Sequence, residues 1–532
     1  MTISNTNLMS SAANTLNQLR YASNIASQNI NNADNPNYSR NVSIFENTAG
    51  GDVKVSPKRM NNFFLNEQLN DSRSSLEYSR SLSSLARSVD EIVTGIAPGG
   101  KDGSNALSQG LSDIIKAVTS MTSDDTFSAR SSFLSRIDSL LSLNAATRDH
   151  FSDYQNQINN EVSNGVKALN SYSKQLAKLN GKLQVTPNDG QLLNQRDSIV
   201  SSMSKIAKVS VKEASNGSVE VRIGSGYDLV SGKKSTDVEV RTGEFRNEAD
   251  LFINGDHLNP KNIGGNIGGN IEARDSVIRS SERDIAKVIV GYLATLNHAN
   301  EQGYLPNGSH GKSLVDIPPV QSLASNKNTG NGSITATLNP TKISELTSSP
   351  LIVTKTITGF EVKNRDTDEA VNITAFPAEV FGFKFDLKGS MNVGDRLEID
   401  ALPQMLKNTS RVGREGDIAA AGSLPYSSGD KKNLQKLGDV SDNRMFNGGM
   451  DTVTNELSNA FVKIGNKDVV ASNGLVTAKS INNTANDRWS NLSGVNTQEE
   501  ELNMTQYQQV YQSVAKIIQA DKEMFKSIID VI

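Results

Sequence analysis

Cysteine is absent from the 532 residues, which excludes disulfides, thiolate metal sites and cysteine nucleophiles. Histidine occurs four times, at His150, His257, His298 and His310, with no second histidine at ligand spacing and no H-E-x-x-H run. Imidazole is the usual general base near neutral pH, so this scarcity argues against hydrolytic chemistry. Aromatic residues are 5 % of the chain, Trp489 is the one tryptophan, and hydrophobic residues reach 36 %. That composition suits several modest cores, and at roughly 150 residues per domain the length suggests three or four domains. Neither sign of charge dominates, with 54 Lys+Arg against 58 Asp+Glu and a net charge of −4. Such balance gives no electrostatic footprint for nucleic acid or an anionic membrane. No run approaches the roughly 18 consecutive apolar residues of a membrane span, and residues 1–20 lack the basic and apolar regions of a Sec-type signal peptide.

What is present divides into helical ends around a β-rich middle. Met9, Ala12, Leu16, Leu19, Ser23, Ala26 and Ile30 recur at steps of three and four, a single helical stripe that should end at Asn35-Pro36. Leu65, Leu69, Leu76, Leu82, Leu85, Val89 and Ile92 predict a second helix, closed by a glycine-rich loop at 97–103. A shorter helix carries Leu107, Leu111, Ile114, Ile115 and Val118. A long one follows, with Phe151, Ile158, Tyr172 and Leu179 on one row and Val162, Leu169, Leu176 and Leu183 on another, all at multiples of seven. Two adjacent rows at that spacing read as a coiled-coil-like bundle face.

From Val209 the period falls to two. Val209 and Val211, the Asn216-Gly217 turn, then Val219, Val221 and Ile223 predict a hairpin. The glycine-rich stretch 263–269 leads into a helix with Ile285, Val288, Tyr292, Leu296 and Ala299. Strands are predicted at 334–338, 351–358, 360–362, 371–373, 381–387 and 396–399, and helices resume after about Lys431. The last helix carries Tyr507, Val510, Val514, Ile517, Met524, Ile528 and Val531 on one stripe and Tyr511, Ile518, Phe525 and Ile532 beside it. The N-terminal stripe is its natural partner. Burying about five sizeable apolar groups per helix does not offset ordering about thirty residues each, so an isolated terminal pair is marginal and gains from neighbouring subunits.

Possible chemical sites dissolve on inspection. Gly264-Gly265 and Gly268-Gly269 lack the Lys-Ser/Thr of a phosphate loop and the G-x-G-x-x-G spacing, and read as a tight connection. Glu499, Glu500 and Glu501 diverge by about 100° per residue on a helix and are explained by the helix dipole. Asp366 and Asp368 read as turn formers. No nucleophile, base and orienter come together, and no cofactor or metal is expected.

Two end segments are recognisable. Residues 29–40, with Asn29, Asn32, Pro36, Tyr38, Ser39 and Arg40, resemble the N-I-A-N-x-N-T-P-G-Y-S-R segment of bacterial flagellar axial proteins. Ser493, Gly494, Val495, Asn496, Glu499 and Glu500, followed by 506–512, are similar to their S-G-V-N-x-x-E-E and Y-Q-Q-x-Y-Q. Inside the chain, 192–197 resembles L-L-D-Q-R-D, 226–230 resembles G-Y-x-L-V, 268–275 resembles G-G-x-x-E-x-R-D, and 393–397 resembles V-G-D-x-F/L. In this order the segments resemble the flagellar hook-associated protein 1 family. Asn31, Asn35 and Asn37 depart from the typical Ala, Thr and Gly, and asparagine tolerates the left-handed backbone a turn there requires.

The resemblance implies an α+β multidomain chain whose N- and C-terminal helices pair as a coiled coil and helical bundle, with antiparallel β domains inserted in the middle. It implies a terminal inner-tube domain (1–35 with 500–532), a helical rod domain with some β (36–208 with 260–312 and 430–499), a β-hairpin region at 209–259 and an outward β-rich insert at 313–429. The implied role is non-enzymatic: a secreted, extracellular ring at the hook–filament junction, self-assembled through terminal helices that order on assembly. Leu16, Leu19, Ile30, Tyr507, Val510, Tyr511, Val514, Ile517, Ile518, Met524, Phe525 and Ile528 would form that interface. Implied partners are other copies of the chain, the hook protein, hook-associated protein 3, the type III export apparatus and an export chaperone taking Val514, Ile517, Ile518 and Phe525, with no nucleic acid or membrane. A thiol-free chain without a Sec-type leader suits such export. Two alternatives are another axial protein of hook or flagellin type, which would not share the inner segments, and a secreted enzyme on a flagellar scaffold with catalysis in 313–425.

Overall fold

The computed structural model describes residues 2–48, 52–95, 106–187, 189–224, 226–245 and 249–530, and the side chains within them except at 2–8, 528 and 529. The predicted loop at 97–103 therefore lies outside the described residues, as do Val531, Ile532 and the side chain of Ile528.

Eleven α-helices are described: α1 (Thr2–Asn31), α2 (Phe63–Thr94), α3 (Ala106–Ser123), α4 (Phe127–Leu183), α5 (Gly190–Ile206), α6 (Gly265–Glu272), α7 (Arg279–Glu301), α8 (Ala401–Asn408), α9 (Lys432–Asp439), α10 (Val453–Ser493) and α11 (Thr497–Ile529). A π-helical turn, Ala273–Ile278, joins α6 to α7. The 57 residues of α4 make a rod of about 85 Å at 1.5 Å per residue. Both predicted rows on it face inward: Tyr172 packs half-buried against the core and the other seven members are buried.

The second long pairing, α2 with α10, is antiparallel: Leu65 and Leu69 pack against Trp489 and Ala485, and Asn482 Nδ2 donates to Ser72 Oγ at 3.0 Å. Its seam on α10 is Leu457, Ile464, Ala471, Ala478 and Ala485, all buried and seven residues apart. Small side chains let the two backbones approach, and for the same reason they give no strong apolar signal in the sequence.

The glycine-rich stretch is part of the packing rather than a connection leading to it. Gly264 and Gly265 are left-handed (φ +58° and +57°), but Gly268 and Gly269 lie inside α6. A Cβ at Gly269 would come within 2.4 Å of the Tyr78 carbonyl oxygen on α2, so only glycine allows this backbone-to-backbone contact.

Between α5 and α6, where one hairpin is expected, two antiparallel sheets form: a four-stranded one over 209–235 and a three-stranded one over 238–257. Two asparagines on α4 hold them. Asn180, fully buried, donates from Nδ2 to the Val219 and Gly232 carbonyls at 2.8 and 2.9 Å and accepts from Val219 N–H at 3.0 Å. Asn170 exchanges the same pair of bonds with Val238. Each carboxamide thus replaces a missing ladder neighbour.

The insert after α7 contains a five-stranded antiparallel sheet, ordered 323–324, 396–399, 351–355, 360–364 and 370–373, and a four-stranded one ordered 320–321, 333–338, 383–388 and 378–380. The strand expected from 381 begins at Phe383, because Phe381 (φ +53°) and Gly382 (φ +81°) form a left-handed turn. One continuous apolar cluster runs from α2, α3 and α4 through both regions of sheet into the insert.

The ends of the chain pair. α1 and α11 run antiparallel, with Ile25 and Ala22 against Tyr507. The first helix closes at Asn31, four residues before Asn35, as successive turns take over at Asn29–Asn32 and Asn32–Asn35. Among the described residues no helix is long and apolar enough to cross a membrane.

Candidate functional site: the joint between the terminal helices

The end segments that stand out in the sequence meet in one place. Asn29, on the last turn of α1, is 0 % exposed. Its Nδ2 donates to the Asn41 carbonyl (2.8 Å), and its Oδ1 accepts from Asn41 N–H (3.0 Å) and from the Tyr38 hydroxyl (2.8 Å). The returning chain is thereby fastened to the helix it has just left. Arg40 then ties three elements together: its N–H donates to the Ser493 carbonyl at 2.8 Å, its carbonyl accepts from Met60 N–H at 2.9 Å, and its guanidinium reaches Glu499 at 3.0 Å. Tyr38, Ser39 and Ser493 are buried here. Pro36 is exposed, and Asn32 bonds back to the Gln28 carbonyl.

Ser493-Gly494-Val495-Asn496 forms the bend between α10 and α11. Gly494 N–H donates to the Ser490 carbonyl at 2.8 Å, and a Cβ at Gly494 would sit 2.5 Å from that oxygen. Asn496 caps α11, its Oδ1 accepting from Gln498 N–H at 3.1 Å and Glu499 N–H at 3.3 Å, which satisfies donors that a helix start leaves free. Val495 is half-buried.

A two-stranded sheet of β1 (Asn41–Asn47) and β2 (Val53–Arg59) braces the pair of helices. Val55 lies in the α1–α11 contact and its N–H donates to Gln18 Oε1 at 2.8 Å. The Phe45 and Tyr507 rings are 5.8 Å apart. At the far end of β2, Arg59 binds Asn194 Oδ1 (2.9 and 3.1 Å) and Asp197 (2.6 Å) on α5. The buried Arg196 bridges Asp197, Glu213 and the Gly217 carbonyl. The 192–197 segment thus works as a fastening between the joint and the first sheet.

Of the residues expected at the interface, Leu19 is buried and Leu16, Ile30, Tyr507, Tyr511, Val514 and Ile518 are half-buried. Val510, Ile517, Met524 and Phe525 are about half exposed. Both apolar rows on α11 are therefore divided: Tyr507, Tyr511, Val514 and Ile518 are half-buried, while Val510, Ile517, Met524 and Phe525 face outward. The four residues expected to meet a chaperone split the same way, Val514 and Ile518 inward and Ile517 and Phe525 outward. Asn41, Gln18 and the alanine seam on α10 carry no signal of their own in the sequence, being polar or small.

Glu500, 4 % exposed, is the one strongly buried acid of the joint. Burial pushes its carboxyl above the usual range, more than hydrogen bonds from Asn29 and Asn503 and the charge of Arg40 pull it down. The folded joint then holds its proton at pH values where the unfolded chain has released it. The associated stability is full below the unfolded carboxylate range and is lost as pH rises through the folded value. Glu500→Gln is therefore expected to raise the melting midpoint of the joint at pH 7 by about 1–2 °C and to leave it unchanged near pH 4, measured by melts of both proteins at the two pH values. A lower midpoint for the variant at pH 7 would refute this.

Among the described residues no group of three His, Asp or Glu is placed to hold a metal ion. What the joint does is set the geometry of two helices.

Two family profiles match the chain: one described as "Flagellar hook-associated protein FlgK helical domain" over residues 100–315 and one described as "Flagellar basal body rod FlgEFG protein C-terminal" over residues 490–531. The chain is 22 % identical to the Flagellar hook-associated protein 1 of Escherichia coli K12 over 554 residues, covering 98 % of this chain and 99 % of that one. It is 24 % identical to the Salmonella typhimurium LT2 protein of the same name over 565 residues, with the same coverage. Its fold is similar to the solved structure of the flagellar hook junction protein FlgK from Burkholderia pseudomallei, with a TM-score of 0.72 and 17 % identity, over 80 % of this chain and 100 % of the other.

Proposed function

We propose, for a chain that belongs to the flagellar hook-associated protein 1 family, that it is a structural component of the bacterial flagellum and forms the junction between hook and filament. The reading assigns it no catalysis. The observation that carries it is the divided surface of α11: Tyr507, Tyr511, Val514 and Ile518 are half-buried, and Val510, Ile517 and Met524 are left outward at seven-residue spacing. Such a row is the seam of a coiled coil that another helix completes. The 490–531 match to a profile described as the C-terminal part of flagellar basal body rod proteins supports a flagellar role for this helix.

In this reading copies of the chain close a ring through α1 and α11, the helical rod and its sheets form a layer around it, and the 313–429 insert points outward. The ring sits outside the cell, with the hook protein on one side and hook-associated protein 3 on the other. Before assembly the chain passes the type III export apparatus while a chaperone covers Val514, Ile517, Ile518 and Phe525.

Coupling of order to assembly is the testable core. In α11 Glu500 is the one buried residue among those described, too little to hold 33 residues firmly. Residue-resolved hydrogen exchange on monomeric protein should be fast across 2–31 and 503–529 and slow across α2, α4, α7 and α10. Strong protection at both ends would instead make the terminal helices a self-sufficient core and overturn the mechanism.

A further inference from the structure

Asparagine is followed by glycine at eight places in the chain, beginning at 164, 180, 216, 254, 307, 331, 447 and 473, all among the described residues. This dipeptide is chemically labile. The glycine amide nitrogen attacks the asparagine Cγ, ammonia leaves, and the resulting five-membered imide is opened by water. The step needs a glycine N–H that is not hydrogen-bonded, so that it can give up its proton, and a carboxamide free to rotate onto it. At seven of the eight sites the fold denies one or both. Asn164, Asn180 and Asn473 lie inside α4 and α10, where each following N–H is committed to the helix ladder. At Asn216 and Asn307 the carboxamide oxygen accepts from the N–H and hydroxyl of the serine two residues on, at 2.7–3.0 Å. The glycine N–H of each pair donates to a carbonyl at 2.9 Å. Asn331 Oδ1 accepts from Ser390 N–H at 3.0 Å, and Gly332 is buried. Asn447 is held by Lys287 and Asp451, and Gly448 N–H donates to the Ser344 carbonyl at 2.8 Å.

Asn254 is the exception. With Gly255 it makes the two-residue turn between the strands Ala249–Ile253 and Asp256–His257, at φ of +52° and +89°, as in a type I′ turn. Such a turn is closed by the N–H of its fourth residue, which leaves the Gly255 N–H outside the ladder. Neither that N–H nor the Asn254 carboxamide has a hydrogen bond among the described residues, and both residues are exposed. We infer that Asn254 is a site of spontaneous deamidation by water, the one Asn-Gly pair that the native fold leaves reactive. The Cγ–Nδ2 bond breaks, and the Gly255 amide proton leaves with the ammonia. Water then gives its hydroxyl to a ring carbonyl and its proton to the ring nitrogen. Opening at one carbonyl gives aspartate; opening at the other gives an isoaspartyl link, in which the main chain runs through the β-carbon. The added methylene lengthens a turn built for two residues, so the pairing of Ile253 with Asp256 and Phe252 with His257 no longer closes. Phe252 and His257 line one side of a cleft of 390 Å³ whose other side is Ile352 and Arg396 of the insert. The lesion therefore falls where this sheet borders the insert.

The purified full-length chain is incubated at mildly alkaline pH in water enriched in oxygen-18, native and in urea side by side, and its peptides are mapped by mass. In the native chain the expected products are aspartyl and isoaspartyl forms of the Asn254 peptide, each carrying one solvent oxygen. They should form at least an order of magnitude faster than at the other seven sites, whereas in urea all eight should convert at similar rates. Conversion of Asn307 or Asn331 as fast as Asn254 in the native chain overturns the inference. So does an Asn254 that stays intact while the unfolded chain reacts. Gly255→Ala tests the attacking nitrogen: the added Cβ meets no other atom within 4 Å but crowds the approach to Cγ, and should slow native conversion by about an order of magnitude. An undiminished rate would show that the reaction does not pass through this nitrogen. Asn254→Asp separates the new charge from the longer backbone. Hydrogen exchange across 249–257 should rise in the aged chain and not in this variant; equal exchange in the two would refute the damage assigned to the turn. None of these measurements depends on assembly.

Discussion

Replacing Asn29 by alanine is expected to open the joint while leaving the rest of the molecule folded. The substitution strands the Tyr38 hydroxyl and both backbone groups of Asn41, all of which Asn29 satisfies at 2.8–3.0 Å. An unsatisfied buried polar group costs about 1–3 kcal/mol, so three of them, partly rescued by water, amount to about 3–5 kcal/mol. That loss falls on the link between α1, β1 and α11, because the apolar cluster of the body contains none of these residues. Hydrogen exchange at 32–41 should rise by two to three orders of magnitude, the unfolding midpoint of the body should hold, and cells relying on the variant should lose swarming in soft agar. Tyr38→Phe, which removes one donor, should cost about 1 kcal/mol and spare motility. Unchanged exchange in Asn29→Ala would show that the joint does not depend on this carboxamide.

Glu456→Ala should destabilise the body by about 3–5 kcal/mol. Lys287 Nζ on α7 meets Glu456 Oε1 on α10 at 2.8 Å, with both side chains under a tenth exposed. Asn447 completes the set, accepting from Lys287 at 2.8 Å and donating to Glu456 Oε2 at 2.5 Å. Removing the carboxylate leaves an ammonium ion buried beside the Phe446 ring, where its desolvation is no longer offset. Replacing both partners, Lys287→Met with Glu456→Met, should recover most of the loss, since a buried pair often adds little over an apolar pair of the same volume. Urea unfolding followed by the fluorescence of Trp489, which sits in the α2–α10 seam, measures both. A single variant within 1 kcal/mol of the parent, or a double variant as weak as the single, would contradict the role given to this pair.

The parts legible in the sequence are those where one kind of side chain repeats. The two heptad rows of α4 are made of large aliphatic and aromatic groups, and each lies where its spacing places it. The strands at 333–338 and 396–399 follow from alternation alone. The α2–α10 seam escaped notice because Ala471, Ala478 and Ala485 bury little area each and work through close approach. The second glycine pair looked like a connection because glycine usually breaks helices; its reason is the Tyr78 carbonyl against Gly269, 191 residues away in sequence and unseen by any local pattern. At the joint, Asn29, Tyr38, Arg40 and the 493–500 segment were picked out by their resemblance to known segments, but the bonds between them were not inferable, since polar side chains have no periodicity that reveals a partner.

The sequence by itself determined the composition of two ends and a middle: apolar stripes at period 3.6 and 7 make helices, alternation makes strands, and the lack of cysteine removes thiol chemistry. Only the tertiary structure decided which members of the two apolar rows on α11 turn inward and which face out, and that Glu500 is buried while Glu499 meets Arg40. The reason is that a helical period fixes the angle between two rows but not which side of them another helix covers. That choice depends on what the chain places alongside, and hydrogen bonds such as Asn29 to Asn41 and Arg40 to Ser493 set it by pinning the helix ends together.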